Sequence, residues 1–237
     1  MRRTFLAAFL LFVALILPGA QAENGERYAR VRASPDGIGK SYLGREIAQV
    51  MSYHGAPWLE RPERMAEERP DLVLDALELK PGMTVADIGA GSGYYSWRMA
   101  GRVGASGIVY AVDVQSEMLR LLEAQMSQRR VSNVKTVLGT TTDPRLAHAT
   151  LDLALMVDVY HEFEFPYEML AAIALALKPG GRLVFVEYRA GDPKVPIKPL
   201  HTMTEAQVRK EAAAHPLEWV KTVSNLPWQH VIVFRRK

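Results

Sequence analysis

The segment Val85-Ala86-Asp87-Ile88-Gly89-Ala90-Gly91-Ser92-Gly93 constrains this chain more than any other. Its first half is short and apolar, with β-branched residues at Val85 and Ile88, as in a buried strand. Its second half has glycine at every other position, which frees the backbone for a tight turn. Residues 94–102 then take helical spacing, so the glycines join a strand to a helix. Such a loop lets a polar ligand approach backbone N–H groups at the helix's positive end. Purely structural turns also use glycine in this way, and the loop alone does not separate the two readings.

From residue 71 onward helix and strand alternate, the mark of a parallel sheet covered on both faces. Strands are expected at 84–88, 108–112, 134–138, 151–157 and 182–187, with a closing hairpin at 219–223 and 230–234. That makes seven. Helices are expected at 72–77 and 94–102, after a cap at Ser116, after Pro166, and after the capping box Thr204-Glu205-Ala206-Gln207. Lys178-Pro179-Gly180-Gly181 is expected to stop the helix that follows Pro166.

The N-terminus has a different character. Arg2-Arg3 precedes an unbroken apolar run at 5–17 and the small-x-small triplet Ala20-Gln21-Ala22, the pattern of a signal peptide over 1–22. Thirteen apolar residues fall short of the roughly 20 a membrane-spanning helix needs, so an uncleaved anchor is the weaker alternative. Arg2-Arg3-x-Phe5-Leu6 is also similar to a twin-arginine export signal, and the route stays open. The expectation is an exported, periplasmic chain beginning at Glu23, in contact with a membrane only during export or through an uncleaved signal. Residues 23–40 look like a loose linker. From Ser41 the spacing predicts a helix with Leu43, Ile47, Val50 and Met51 on one face, and residues 58–69 a charged surface helix, so residues 23–70 form a helical cap on the domain at 71–237.

The chain lacks cysteine, which removes disulfides and thiolate metal sites, and no metal is expected. Taking Arg2 and Arg3 from 29 basic residues leaves 27 against 26 acidic ones, a mature charge of +1, which argues against a nucleic-acid partner. Oligomeric state is not legible.

Asp113 sharpens the reading of the loop. It lies twenty residues beyond Gly93 at the end of the second strand, where a carboxylate can accept both hydroxyls of an adenosine ribose. Nicotinamide enzymes share this layout, but their G-x-G-x-x-G fingerprint wants glycine where this chain has Tyr94.

Together, residues 85–93, Tyr110-Ala111-Val112-Asp113 and Leu177-Lys178-Pro179-Gly180-Gly181-Arg182-Leu183 resemble, in order and spacing, the motifs of class I S-adenosylmethionine-dependent methyltransferases. The nearest flavour is the small-molecule enzymes of the ubiquinone and menaquinone type. The resemblance implies an α/β fold with a doubly wound, seven-stranded, mostly parallel sheet (Rossmann-like), S-adenosylmethionine as cofactor, and methyl transfer to a small-molecule substrate at oxygen or carbon. It implies that Gly89, Gly91 and Gly93, with Ala90 between them, line the methionine part of the cofactor, and that Asp87 fixes the loop or the cofactor's ammonium. Asp113, with Val114 after it, would hold the ribose. Asp143 is similar in placement to the acid at the adenine, although Thr140-Thr141-Thr142 displaces it, and Asp158 to the residue at the amino end.

Tyr160-His161-Glu162-Phe163 resembles in place the His-Asp-Trp segment of O-methyltransferases, which makes His161 the candidate general base. A histidine that only packs the pocket rim is the alternative. Tyr160, Glu187, Tyr188 and His201 are candidates for contact with substrate, with Arg189 and Lys198 near them. Tyr42 and Trp58-Leu59-Glu60-Arg61 are candidates for a lid or for ordinary packing. The rival function is an exported, non-catalytic module that binds S-adenosylmethionine or a nucleoside.

Overall fold

The computed structural model describes residues 27–237, so the expected signal peptide at 1–22 and its cleavage site lie outside the described residues. Strands β1 (Tyr28–Arg30), β2 (Gly37–Tyr42) and β3 (Arg45–Ala48) form a small antiparallel sheet where a linker and a helix were expected. The turn explains the difference. Leu43 and Gly44 both have positive φ, 48° and 92°, the two-residue hairpin geometry that matches strand twist, and Tyr42 pairs with Arg45 across it. Tyr42, Ile47 and Ala48 are buried while Leu43 and Val50 are exposed, so the apolar residues do not share a helical face.

Among the described residues, helical structure in this cap is limited to a one-turn 3-10 helix at Tyr53–Gly55 and short turns at α1 (Ala56–Leu59) and α2 (Arg64–Glu67). The expected surface helix at 58–69 is corrected with it. Arg64 and Glu68 are buried, because their charges pair with each other and with groups of the main domain.

After α3 (Pro70–Ala76) come β4 (Thr84–Ile88), α4 (Ser96–Val103), β5 (Ile108–Asp113), α5 (Ser116–Arg129), β6 (Val134–Leu138), β7 (Leu151–Val157), α6 (Pro166–Ala176), β8 (Leu177–Tyr188), α7 (Glu205–Ala212), β9 (Leu217–Val223) and β10 (Gln229–Arg236). The seven later strands form one sheet in the order β6-β5-β4-β7-β8-β10-β9. Its first five strands are parallel, and β10 inserts antiparallel between β8 and β9. Ala86 and Ile88 face the core under α6 and α7, whereas Val85 faces the core under α3 and α4. Strand order reverses between β4 and β7, so the crevice beyond their carboxyl ends is the ligand position this topology provides.

Two local details differ from expectation. Ser116 begins α5 but does not cap it; the position before it is Gln115, whose N–H donates to Asp113 Oδ1 at 2.9 Å. The helix α6 does stop before Lys178, yet Lys178-Pro179-Gly180-Gly181 is an irregularity inside β8 rather than a turn before it. Thr204 caps α7 as expected, accepting from the Gln207 N–H at 3.1 Å. Among the described residues no helix is long and apolar enough to cross a membrane.

Candidate functional site

Gly89, Gly91 and Gly93 have φ of 71°, 54° and 88°, so all three positions select against side chains. The loop amides do not wait for a ligand. Gly89 and Ala90 N–H both donate to the Val112 carbonyl, Gly93 N–H to the Ala90 carbonyl, and Gly91 N–H to Asp113 Oδ2 at 2.9 Å. Only Gly89 and Gly91 reach the cavity above β4 and β7. Ala90 packs with Ala111, Leu122 and Met126, and a Cβ on Gly93 would stand 2.7 Å from Leu122 Cγ, so these two belong to the core beneath the loop. Asp87 is buried and accepts from Ser96 Oγ at 2.6 Å, tying β4 to α4; it fixes the loop and does not line this cavity. Burial pushes its carboxyl up to about 6, partly offset by the Ser96 hydroxyl.

The cavity measures about 570 Å³, within the ordinary range of small-molecule sites. Asp113, Val114, Thr140 and Thr141 line one end. Burial raises the Asp113 carboxyl above the usual carboxylate range, while N–H groups of Gln115, Gly91 and Val114 pull it back. Asp143 does not join them. It is exposed and its Oδ1 accepts from the Arg145 N–H at 2.7 Å, because the 140–143 turn carries Thr140 and Thr141 to the cavity in its place.

Asp158 lines the cavity next to the switch in strand order, with φ of 50°. Its Oδ2 accepts from Gln229 Nε2 at 2.6 Å, and its Oδ1 is buried without a partner among the described residues. Burial, with the charges of Glu68 and Glu187, holds this carboxyl well above the usual range. A ligand carrying N–H donors and positive charge would satisfy both the orphaned oxygen and the acidic surroundings. Glu68 is the hub that binds cap to sheet. It accepts from Arg61 at 2.6 Å, from Arg64 at 2.6 Å and from the Tyr188 hydroxyl at 2.7 Å. Trp58, Leu59 and Arg61 face the cavity, which makes the 58–61 stretch a cover, while Tyr42 is core. Lys198 closes over the far side, its Nζ 2.5 Å from Asp36 Oδ1.

His161 also lines the cavity, buried in the one-turn helix Tyr160–Glu162 after β7. Its Nδ1 lies 2.6 Å from Glu187 Oε2, and its Nε2 lies 3.2 Å from His201 Nδ1. A carboxylate only accepts, so the Nδ1 carries a proton and a neutral His161 turns its Nε2 lone pair toward His201 and the cavity. Burial alone would lower the imidazole, but the Glu187 carboxylate outweighs it and the net direction is upward. Tyr188 and His201 line the cavity. Tyr160 and Glu187 do not: Tyr160 is fully buried with its hydroxyl donating to Glu211 at 2.7 Å, and Glu187 is fully buried with Oε1 accepting from the Tyr160 N–H at 3.2 Å. Glu187 is a positioning residue for His161, and Arg189 clamps Asp192 and carbonyls of the β9–β10 connection.

Sequence reasoning missed Glu162, Thr140, Thr141 and the Arg61-Glu68-Arg64 hub. Glu162 stood beside His161 and shared its turn, a signal that was available. The hub had none, since charged residues at 61–68 have the spacing of a solvated surface helix.

The chain matches the family described as a methyltransferase domain over residues 79–231. It is 29% identical over 123 residues to the protein-L-isoaspartate O-methyltransferase of Methanothrix thermoacetophila, covering 48% of this chain and 51% of that one. It is 29% identical over 111 residues to the nocamycin O-methyltransferase of Saccharothrix syringae, covering 47% and 40%. A tRNA (adenine(58)-N(1))-methyltransferase of Thermus thermophilus is a further relative. The chain thus spans about half the length of the curated relatives it matches. A crystal structure of an S-adenosylmethionine-dependent methyltransferase from Aquifex aeolicus shares its fold, with a TM-score of 0.75, 24% identity, and coverage of 79% of this chain and 100% of that one. The glycine loop, the reversed strand order with its antiparallel β10, and a family match over most of the domain agree: the chain belongs to the class I methyltransferases, whose cofactor is S-adenosylmethionine.

Proposed function

We propose that the protein transfers the methyl group of S-adenosylmethionine to a small-molecule acceptor, at oxygen in the first instance and at an acidic carbon by the same chemistry. The observation that carries this is one cavity whose lining brings together Asp113, Asp158 and His161. Asp113 would hold the ribose hydroxyls, and the orphaned Asp158 Oδ1 would accept from the cofactor's ammonium. The cofactor supplies a methyl group made electrophilic by its sulfonium. The chain's own work is to align an acceptor with it, exclude water beneath Trp58 and Leu59, and take charge of the acceptor's proton at the His161 end. A cavity of about 570 Å³ beneath Trp58 and Leu59 supports a small acceptor.

The expected export favours a second reading, a cofactor-binding module without turnover, since S-adenosylmethionine is made in the cytoplasm. Export itself is part of the proposal, checked by N-terminal sequencing of protein recovered from cells: Glu23 first supports it, an intact Met1 in a soluble fraction opposes it. One assay decides between catalysis and binding. With a hydroxylated acceptor at saturation, S-adenosylhomocysteine should form, and His161→Ala should lower that rate by about 10²-fold while its affinity for S-adenosylhomocysteine stays within about twofold. Full rate in the variant would leave His161 as packing.

A further inference from the structure

We infer that His161, Glu162 and His201 form a binding site for a divalent cation of the zinc class at the acceptor end of the cavity. The site stands on geometry, and its role in methyl transfer rests on the function proposed above.

Three ligand atoms converge there. His161 Nε2 and His201 Nδ1 are 3.2 Å apart, His201 Nδ1 and Glu162 Oε1 are 3.4 Å apart, and His161 Nε2 and Glu162 Oε1 are 4.0 Å apart. Ligands about 2.0–2.1 Å from a tetrahedral zinc stand about 3.3–3.4 Å from one another, so two edges of the triangle already match and the third is slightly long. Two imidazoles and one carboxylate suit zinc, iron or cobalt rather than magnesium or calcium, whose ligands are oxygens. With three protein ligands the fourth position is open. All three residues line the cavity, so that position faces the space where an acceptor would lie.

Glu187 supplies the second, independent observation. A histidine that ligates a metal characteristically gives its other ring N–H to a carboxylate, which fixes the tautomer and turns the bare nitrogen to the ion. Glu187 Oε2 does this at 2.6 Å from His161 Nδ1, and the Tyr160 N–H holds the other carboxylate oxygen. Without a cation the arrangement is poorly satisfied. His161 Nε2 and Glu162 Oε1 are both acceptors, and a single proton on His201 Nδ1 must be shared between partners at 3.2 Å and 3.4 Å. The nearest cationic side chains are spoken for, Arg45 by Glu211 at 2.8 Å and Lys198 by Asp36 at 2.5 Å.

A cation at this site would bind the acceptor's oxygen and lower the pKa of its hydroxyl. With its Nε2 lone pair on the cation, His161 acts here as a ligand and not as the base: the hydroxyl proton goes to solvent, the oxygen–carbon bond forms as the methyl's carbon–sulfur bond breaks, and the sulfonium leaves as the neutral thioether. Nothing is oxidised or reduced.

The test is a titration of the metal-stripped full chain with Zn²⁺ alone, followed by calorimetry, and with Co²⁺, followed by visible absorption. One equivalent should bind. His201→Ala should weaken binding at least about 100-fold, and Glu187→Gln by about 10–100-fold, the usual cost of losing a ligand's supporting carboxylate. His201 is partly exposed, so its variant should keep the native melting profile, and thermal unfolding of each variant verifies this. Failure of either ion to bind, or an affinity unchanged in His201→Ala, would overturn the site. S-adenosylhomocysteine titrated into the same samples separates the two ideas. Its binding without cation uptake removes the cation site alone, whereas cation uptake without its binding supports the site and removes the methyltransferase reading.

Discussion

Around Gly91 the cavity wall is main chain, whereas around His161 it is side chains drawn from distant parts of the sequence. At the glycine loop the amides of Gly89, Ala90, Gly91 and Gly93 are all engaged with neighbours between residues 90 and 113, and one side chain, Asp113, closes the set. At the other end, Arg45 donates to Glu211 through two nitrogens, at 2.8 and 3.0 Å, and to the His161 carbonyl at 3.0 Å, while Glu187 and His201 hold the His161 ring. The first region is rigid because its backbone is short and locally bonded. The second is rigid only as long as a chain of buried charges stays paired, so the two should fail in different ways.

The largest effect should come from breaking that chain. Arg45→Met leaves Glu211 buried and unpaired, and should lower the free energy of unfolding in urea by about 3–5 kcal/mol. Replacing Glu211 with Met as well should restore much of the loss, since a buried ion pair exchanged whole for apolar residues is often neutral. A single variant within 1 kcal/mol or so of the parent would show that the acceptor end does not depend on its ion pairs.

The donor end should respond to pH instead. Asp87 has a native carboxyl raised to about 6, above the roughly 3.9 of an unfolded chain. A raised acid favours the native state in its protonated form, so this contribution is complete below about pH 4 and is lost as pH rises through about 6, by up to about 3 kcal/mol. Asp87→Asn should flatten the stability profile across that window. A parent profile already flat there would mean that Asp87 is not held in the way its burial requires.

The same contrast explains what the sequence disclosed. The glycines, Asp113 and the alternation of strand and helix are local patterns, so the parallel sheet and the donor end follow from spacing. Gly93 and Ala90 were assigned to the cofactor because spacing cannot tell a glycine that admits a ligand from one that admits Leu122. Asp143 was misplaced by the turn at Thr140, and Tyr160 and Glu187 by the assumption that polar groups at strand ends face the crevice. The cap was misread because the apolar spacing of 43–51 fits a helix, and the Leu43-Gly44 hairpin turn outweighs it. Arg45, Glu211 and His201 meet His161 only through the fold, and no local pattern announces such a meeting.

The central claim is that one cavity has a donor end centred on Asp113 and an acceptor end centred on His161. Calorimetry with S-adenosylhomocysteine on the parent, Asp113→Ala and His161→Ala tests it most directly. The account predicts that the parent binds, that Asp113→Ala loses about 1–3 kcal/mol of binding free energy as the ribose hydroxyls lose their acceptor, and that His161→Ala binds within about twofold of the parent. Absence of binding in the parent, or equal losses in the two variants, would contradict it.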